Sequence, residues 1–274
     1  MSECLKEKQL KQVASKIRRN IIEMAHDAGK EGSHLGGALS SVEILVVLYM
    51  YASNLCNENG DFDLRDKILI SKGHCVLAYY NILHECGFLS DEDLAHYEKN
   101  GFDMPGHPLR NYDKRIEYST GSLGMALSVG VGMALSAKIK QRSNRVFVLL
   151  GDGECEEGSI WEAALCASHN KLDNLVAIID RNHLQYDGSP EELAGMDDVE
   201  GKFKAFGWDA VSVDDGHEVG QLITAFDKKH SGAPLAIIAN TVKGKGVSFM
   251  ENDAKWHHGT MTEKEYLIAI SEQG

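Results

Sequence analysis

Oxygen-bearing side chains follow two apolar segments of the chain that have the length of buried strands. Asp152 stands between two glycines directly after VFVLL, and Asp180 and Asn182 follow LVAII. The carboxyl ends of neighbouring parallel strands meet at one edge of a sheet, so Asp152 and Asn182 are expected to lie close together. Mg²⁺ prefers six oxygen ligands and usually shares them between protein, phosphate and water. The pattern predicts a metal site that holds a phosphate-bearing ligand, although a tight turn with a helix N-cap would explain the GDG string alone.

Several of the twelve histidines stand in short strings that contain glycine. These are His34 in GSHLGG, His74 in SKGHC, His107 in PGHP, and His257 and His258 in KWHHG. Imidazole donates and accepts hydrogen bonds and exchanges protons near neutral pH. One such histidine is usually a structural residue, but four glycine-flanked strings in one chain favour a functional role.

Further candidates stand beside glycines or near the start of predicted helices. The string Gly121–Gly124 (GSLG) opens a helical pattern, and the free N–H groups of a helix N-terminus attract phosphate. Lys72 and Lys243 each precede a glycine and are candidates for contacts with phosphate or substrate. Glu157 and Glu162 follow the GDG string, where a favourable interaction with the helix dipole also explains them. The alternatives are a packing helix for GSLG and exposed surface positions for both lysines.

Taken together, these strings resemble the N-terminal domain of transketolase, a thiamine-diphosphate-dependent family. The segment GDGECEEGSIWEA…LDNLVAIIDRN resembles that family's version of the thiamine-diphosphate motif. The histidine strings match the family's histidine signatures in the same order. The resemblance extends from about residue 15 to residue 258, which is nearly the whole chain.

The resemblance implies a role for each candidate residue. Asp152, Asn182 and the carbonyl of Leu184 would bind Mg²⁺, Ca²⁺ or Mn²⁺. The residues implied to contact thiamine diphosphate are His74, Gly121, Ser122, Leu123, Gly153, Glu154, Asn182, Lys243 and His257. The residues implied to line the substrate channel or to activate the cofactor are His34, His74, His107, His257, Glu157 and Glu162. The spacing from Lys243 and the preceding Trp256 favour His257 over His258 as the active-site residue.

One departure from the family pattern follows the first histidine. Gly36 and Gly37 come after Leu35, where relatives often carry proline and then a hydroxyl residue. The local contacts to substrate or diphosphate are therefore expected to differ at this point.

The resemblance also implies a partner chain. Single-chain transketolases are more than twice as long, and their pyrimidine-binding and third domains have no counterpart here. We therefore expect an α2β2 assembly in which a C-terminal subunit carries those domains and thiamine diphosphate lies between unlike subunits. The implied reaction moves a two-carbon ketol unit from a ketose phosphate to an aldose phosphate.

Three alternatives to a pentose-phosphate transketolase remain open from the sequence. Split transketolases for apulose phosphate or sulfofructose would look much the same. The α subunit of a 2-oxo-acid dehydrogenase E1 also pairs GDG with a later asparagine, but does not predict the histidine strings together. A non-catalytic subunit of the same fold would have lost the metal ligands, and Asp152 and Asn182 are both present.

The elements that must position these residues are strands and helices in alternation. Non-alternating apolar runs predict buried strands at 67–70, 146–150, 175–179, 210–213 and 235–240. Helical periodicity predicts helices at 8–28, 41–52 with Ser40 or Ser41 as cap, 121–140, 158–169 and 218–229. This alternation indicates an α/β fold with a doubly wound, mainly parallel sheet and helices on both faces. We expect a single diphosphate-binding domain over 1–274, with long loops at 99–119 and 243–261.

The composition restricts the function classes further. The 274 residues carry a formal charge of −13, which disfavours nucleic acid and anionic membranes as partners. The six cysteines form no CxxC pair, so reduced thiols are expected rather than a zinc site or a disulfide framework. The N-terminal segment has no apolar core of the kind found in signal peptides. We therefore expect a cytoplasmic protein.

Overall fold

The computed structural model describes residues 3–55, 64–185 and 188–273. Within these ranges a five-stranded sheet has the order β1-β2-β3-β5-β4, and every pairing in it is parallel. The strands are β1 Lys67–Ile70, β2 Val146–Gly151, β3 Leu175–Arg181, β4 Asp209–Val213 and β5 Leu235–Asn240. The predicted α/β class and all five predicted strands are therefore confirmed. Because all the strands are parallel, their carboxyl ends lie along one edge of the sheet.

Helices cover both faces of the sheet. They are α1 Glu3–Asp27, α2 Leu35–Ser40, α3 Val42–Val47, α4 Val76–Glu85, α5 Asp91–Ala95, α6 Ala126–Ile139, α7 Gly158–His169, α8 Pro190–Ala194, α9 Val199–Ala205, α10 Val219–Phe226 and α11 Glu263–Ser271. A π-helical turn, Leu48–Ala52, continues α3. None of the helices in the described part of the chain has both the length and the apolar character needed to cross a bilayer.

The core consists of two apolar clusters separated by the sheet. Alternate residues of β2 enter different clusters, with Phe147 and Leu149 on one face and Val146, Val148 and Leu150 on the other. The first cluster also contains residues of α1, α2, α3, α4, α10 and α11, and the second contains residues of α6, α7 and α9. All six residues of β2 are buried, which explains why the strand sequences lack a polar–apolar alternation.

One predicted helix cap and one predicted helix start are wrong. The predicted helix 41–52 begins as α3 at Val42, but neither Ser40 nor Ser41 caps it through its side chain. Both hydroxyls donate to the carbonyl of Gly37 and to the carboxylate of Asp180 instead. A buried carboxylate is the stronger acceptor, and α2 runs directly into α3, so the start of α3 is not an isolated helix end.

The second correction concerns the predicted helix 121–140, which begins only at Ala126. The glycines of the GSLG string interrupt it, because Gly121 has φ 132° and Gly124 has φ 79°. A Cβ at Gly124 would lie 2.7 Å from Cβ of Glu157, so glycine is also required there for close packing. The GSLG string therefore forms a turn before α6 and not its first turn.

The close packing of α6 on the sheet gives a testable prediction. A Cβ at Gly130 would lie 2.7 Å from Cγ2 of Val148, whereas one at Gly132 on the same helix meets nothing within 4 Å. We expect Gly130→Ala to lower the free energy of unfolding by about 1–3 kcal/mol through overpacking. The control Gly132→Ala should raise it by about 0.5–1 kcal/mol, since alanine is the better helix former. Urea-induced unfolding measures both, and equal effects would contradict this packing.

Candidate active site at the carboxyl edge of the sheet

A cavity of about 270 Å³ lies at the carboxyl ends of the central strands. It collects residues that are far apart in the sequence, because several strands and helices of the layered fold end or begin at this edge. Its lining residues are Gly37, Lys72, His74, Leu123, Gly151, Asp152, Gly153, Glu154, Glu156, Glu157, Asn182, Leu184, Gln185, Lys243 and His257. The structure thus brings together most of the residues that the sequence singled out.

Asp152 and Asn182 line this cavity from the ends of the neighbouring strands β2 and β3. The Asp152 carboxylate accepts hydrogen bonds from the backbone N–H of Gly153, at 2.9 Å, and of His183, at 2.7 Å. The second bond ties the loop after β2 to the loop after β3. Burial, together with the charge of Asp180, raises the pKa of Asp152 to about 6. A nearby cation would favour the carboxylate form.

Leu184 and Lys243 face the same part of the cavity. The Lys243 ammonium donates to the carbonyl of Leu184, at 2.8 Å, and to Nδ1 of His257, at 3.0 Å. An ammonium has no lone pair, so Nδ1 of His257 must be the acceptor in this contact. Burial lowers the pKa of Lys243 to about 8, and burial with the Lys243 charge lowers that of His257 to about 4.

The donor atoms around Asp152 fit a hard cation. Among the described residues, no group of three or more His, Cys, Asp or Glu side chains is arranged to hold a metal ion. An ion here would therefore depend on one carboxylate, the amide oxygen of Asn182, the carbonyl of Leu184 and oxygens of a bound phosphate. Mg²⁺ suits such a site, since it needs few protein ligands and is commonly held in part by substrate phosphates.

Two glycines after His34 allow α2 to approach the cavity closely. A Cβ at Gly36 would lie 2.9 Å from Cγ of Lys243 and from the carbonyl oxygen of Trp256, and one at Gly37 would lie 2.8 Å from Cδ2 of His74. The departure from the family pattern at Gly36 and Gly37 therefore has a steric role in this chain.

A buried ion pair lies directly beneath the cavity. Lys72 and Asp180 are both inaccessible to solvent, and the Lys72 ammonium donates to Oδ2 of Asp180. Burial opposes the charge on both groups, but each charge stabilises the other, so the pKa of Lys72 is raised and that of Asp180 is lowered. Asp180 also accepts hydrogen bonds from the hydroxyls of Ser40, Ser41 and Thr241. The surface-lysine alternative for Lys72 is wrong.

Glu154 has a structural role that sequence reasoning missed. Its buried carboxylate accepts hydrogen bonds from the hydroxyl of Ser71 and from the backbone N–H of Gly124 and Gly151. These donors belong to the segment after β1, to the GSLG turn and to the end of β2. Burial raises the pKa of Glu154, although the three donors act in the opposite direction. Its side chain therefore holds three loops of the carboxyl edge together.

The histidines identified in the sequence form one cluster next to the cavity. The ring of His34 is central, with ring centres at 4.5 Å from His258, 5.2 Å from His107, 5.6 Å from His257 and 5.9 Å from His74. Burial lowers the pKa of His34 to about 3, that of His74 well below its usual value, and that of His107. These rings are consequently neutral at pH 7 and can both donate and accept hydrogen bonds.

Only some of the predicted residues near α7 and in the GSLG string line the cavity. Glu157 and Leu123 line the cavity and are exposed, whereas Glu162 is exposed on α7 and is not part of the cavity lining. Gly121 and Ser122 are exposed before α6. A Cβ at Gly121 would lie 3.7 Å from Cδ2 of His107, so this turn also borders the histidine cluster.

A second hydrogen-bond chain that the sequence did not reveal supports the loop carrying Lys243. Glu43 is buried and accepts hydrogen bonds from Arg18 and from Nδ1 of His217. Nε2 of His217 accepts from the backbone N–H of Val242, at 2.9 Å, so its proton must be on Nδ1. His217 therefore connects the core helix α3 to the residue that precedes Lys243.

Comparison with known proteins identifies the family. Residues 10–272 match the family model described as the thiamine diphosphate binding domain of transketolase. The chain belongs to the transketolase family. An apulose-4-phosphate transketolase subunit from Phocaeicola vulgatus is 41% identical over 265 residues, which cover 94% of this chain and 92% of the relative. The 6-deoxy-6-sulfo-D-fructose transketolase subunit SqwG of a Clostridium species is 36% identical, and the match covers 96% of this chain and 95% of that relative.

Solved transketolase structures share the fold and the family of this chain. The crystal structure of transketolase from Campylobacter jejuni superimposes with a TM-score of 0.87 at 31% identity. The match covers 97% of this chain but only 43% of the Campylobacter chain. This transketolase-family chain therefore corresponds to less than half of the single-chain protein.

The buried ion pair gives a prediction about stability. We expect Lys72→Met to lower the free energy of unfolding by about 3–5 kcal/mol, because it leaves the Asp180 carboxylate buried without its counter-charge. Lys72→Met combined with Asp180→Asn should cost less than the sum of the two single changes. The control Arg19→Met, in the exposed pair with Glu23, should cost at most about 0.5 kcal/mol. If the losses in unfolding free energy of the two single variants add up to that of the double variant, the two charges are not coupled.

The neutral histidine cluster gives a prediction about pH. In the unfolded chain His34 and His257 take up protons as the pH falls below about 6.5, whereas in the folded chain their pKa values are about 3 and 4. The unfolded state then binds more protons, so these rings make the folded protein less stable as the pH falls from 6.5 to 4. Urea unfolding of the metal-free chain should show a flatter pH dependence for His34→Gln, and no change for the exposed control His169→Gln. If the free energy of unfolding of His34→Gln depends on pH as steeply as that of the wild type, the lowered pKa of His34 is refuted.

Proposed function

We propose that this chain is the diphosphate- and metal-binding subunit of a two-subunit transketolase. One observation carries the proposal: Asp152 and Asn182, from adjoining strand ends, line one cavity with the carbonyl of Leu184 and the ammonium of Lys243. The rings of His34 and His107, whose pKa values are lowered by burial, adjoin that cavity. Relatives of nearly the same length are named as transketolase subunits, which supports the division of the enzyme between two chains.

In the proposed enzyme, the residues of this chain bind and orient more than they react. Thiamine diphosphate, when bound, supplies a nucleophilic carbon and an electron sink for breaking a carbon–carbon bond. Asp152, Asn182 and the Leu184 carbonyl would hold Mg²⁺, with Ca²⁺ or Mn²⁺ as alternatives, and Lys243 would lie beside the diphosphate. The neutral rings of His34, His74, His107 and His257 would hydrogen-bond sugar hydroxyls and exchange protons with them. Gly121–Leu123, Gly153 and Glu154 would border the cofactor.

The proposed partner is a C-terminal subunit with the pyrimidine-binding and third domains. Leu123 and Glu157 line the cavity and are exposed, and Met125 and Leu165 expose further apolar surface before α6 and on α7, which also carries the exposed Glu162. Exposed apolar groups beside an incomplete site are typical of an interface. We propose an α2β2 assembly in which the cofactor lies between unlike subunits.

The cysteines 75, 86, 155 and 166 form no disulfide, which supports the proposed cytoplasmic location.

The proposed reaction transfers a two-carbon ketol unit from a ketose phosphate to an aldose phosphate. Pentose phosphates are the default substrates, and the relatives named for apulose 4-phosphate and 6-deoxy-6-sulfo-D-fructose make these two sugars specific alternatives. The test combines this chain with its C-terminal subunit, thiamine diphosphate and Mg²⁺ and measures ketol transfer from xylulose 5-phosphate and from both alternatives. Neither chain should be active without the other. Transfer from 2-oxo acids and from none of the sugars would overturn the proposal.

The metal assignment gives a separate prediction. Asp152→Ala removes the only carboxylate among the three proposed ligands, so it should weaken Mg²⁺-dependent binding of thiamine diphosphate to the complex by at least about 100-fold. The matched control is Asp214→Ala, which removes an exposed carboxylate just after β4 and outside the cavity lining. Calorimetric titration of thiamine diphosphate with and without Mg²⁺ measures both variants. Unchanged affinity in Asp152→Ala would refute the assignment.

A further inference from the structure

His258 differs from the other four rings of the histidine cluster. Its side chain is exposed, whereas His34, His74, His107 and His257 are partly buried. It is the neighbour of His34, with ring centres 4.5 Å apart, which is the shortest ring distance in the cluster. His258 is therefore the solvent-facing ring of the cluster.

The five rings differ in their position relative to the cavity. His74 and His257 are part of the cavity lining, while His34, His107 and His258 are not. His34 has ring distances of 5.9 Å to His74 and 5.6 Å to His257, and the exposed His258 packs against His34 at 4.5 Å. A sugar whose reacting carbons lie in the cavity would extend past His34 and reach His258 with its more distant carbons.

The backbone holds His258 at this place. Ser33 and Gly259, the residues beside His34 and His258, exchange two hydrogen bonds, from the Ser33 N–H at 2.9 Å and the Gly259 N–H at 3.1 Å. Gly32 adopts φ 75°, and a Cβ there would lie 3.1 Å from Cε1 of His258. The His258 ring thus packs over a residue without a side chain. A side chain positioned in this way loses little freedom when it binds a ligand.

We propose that His258 is a specificity-determining residue that hydrogen-bonds the sugar beyond the two carbons that are transferred. The inference rests on the proposed function and deepens it, because those distant carbons distinguish one ketose from another. Imidazole can donate to and accept from hydroxyl groups, so it can contact the hydroxyls of the distal part of the sugar. His257, by contrast, accepts a hydrogen bond from Lys243 and lines the cavity at the carboxyl edge of the sheet.

The test compares His258→Ala and His258→Gln in the complex with the C-terminal subunit, thiamine diphosphate and Mg²⁺. For the ketose phosphate that the wild-type complex uses, His258→Ala should raise KM by about tenfold while kcat changes by less than about threefold. His258→Gln should recover part of the loss, because its amide also donates and accepts. For dihydroxyacetone, a ketose with only one carbon beyond the two that are transferred, kcat/KM should be unchanged. The exposed control His169→Ala should behave as wild type.

The outcomes separate this inference from the proposed function. An unchanged KM in His258→Ala would overturn the inference while the active wild-type complex still supported the function. An equal loss with dihydroxyacetone, or weaker binding of thiamine diphosphate, would also overturn it, since His258 would then act at the reacting centre or on the cofactor. No ketol transfer by the wild-type complex from any sugar would contradict the proposed function itself.

Discussion

The carboxyl edge of this sheet depends on the hydrogen bonds that the buried carboxylate of Asp180 accepts. This carboxylate lies at the end of the central strand β3 without access to solvent, and accepts hydrogen bonds from Lys72, Ser40, Ser41 and Thr241. These four donors come from the segment after β1, from the junction of α2 and α3, and from the end of β5. An unpaired buried charge is very costly, so the three segments can move apart only at a large free-energy cost. Glu154 connects the segment after β1 to the GSLG turn and to the end of β2 in the same way, through Ser71, Gly124 and Gly151.

Burial gives the adjoining histidines their chemical character. A ring that is partly removed from water and close to other rings and lysines resists protonation, which is why His34, His74, His107 and His257 have lowered pKa values. Neutral rings retain both a donor and an acceptor nitrogen. The cluster is therefore suited to polar, uncharged groups such as hydroxyls, and the anionic end of a ligand must be bound elsewhere.

The sequence predicted the sheet well because each strand is a short apolar run whose burial on both faces leaves a local signature. It also predicted that Asp152 and Asn182 lie at one edge of the sheet, where they line the same cavity, since the carboxyl ends of parallel strands must meet. Helices such as α4 and α9 were not predicted, and the start of α6 was placed too early. The supporting contacts were missed for a different reason: Ser40 binds Asp180 across 140 positions and His217 binds Glu43 across 174. No local pattern indicates such partners, so only the fold reveals why these polar residues are buried.

The charges of the cavity give a physical reason for a divalent ion. Its lining includes the acidic side chains of Asp152, Glu154, Glu156 and Glu157, and the ammonium groups of Lys72 and Lys243. Lys72 is already paired with Asp180, so one lysine faces several acidic groups in a chain whose formal charge is −13. A diphosphate entering this cavity alone would be repelled. A divalent cation held by Asp152 would offset much of this negative charge and would let the diphosphate supply the remaining oxygen ligands. Metal and diphosphate should consequently bind together, each depending on the other.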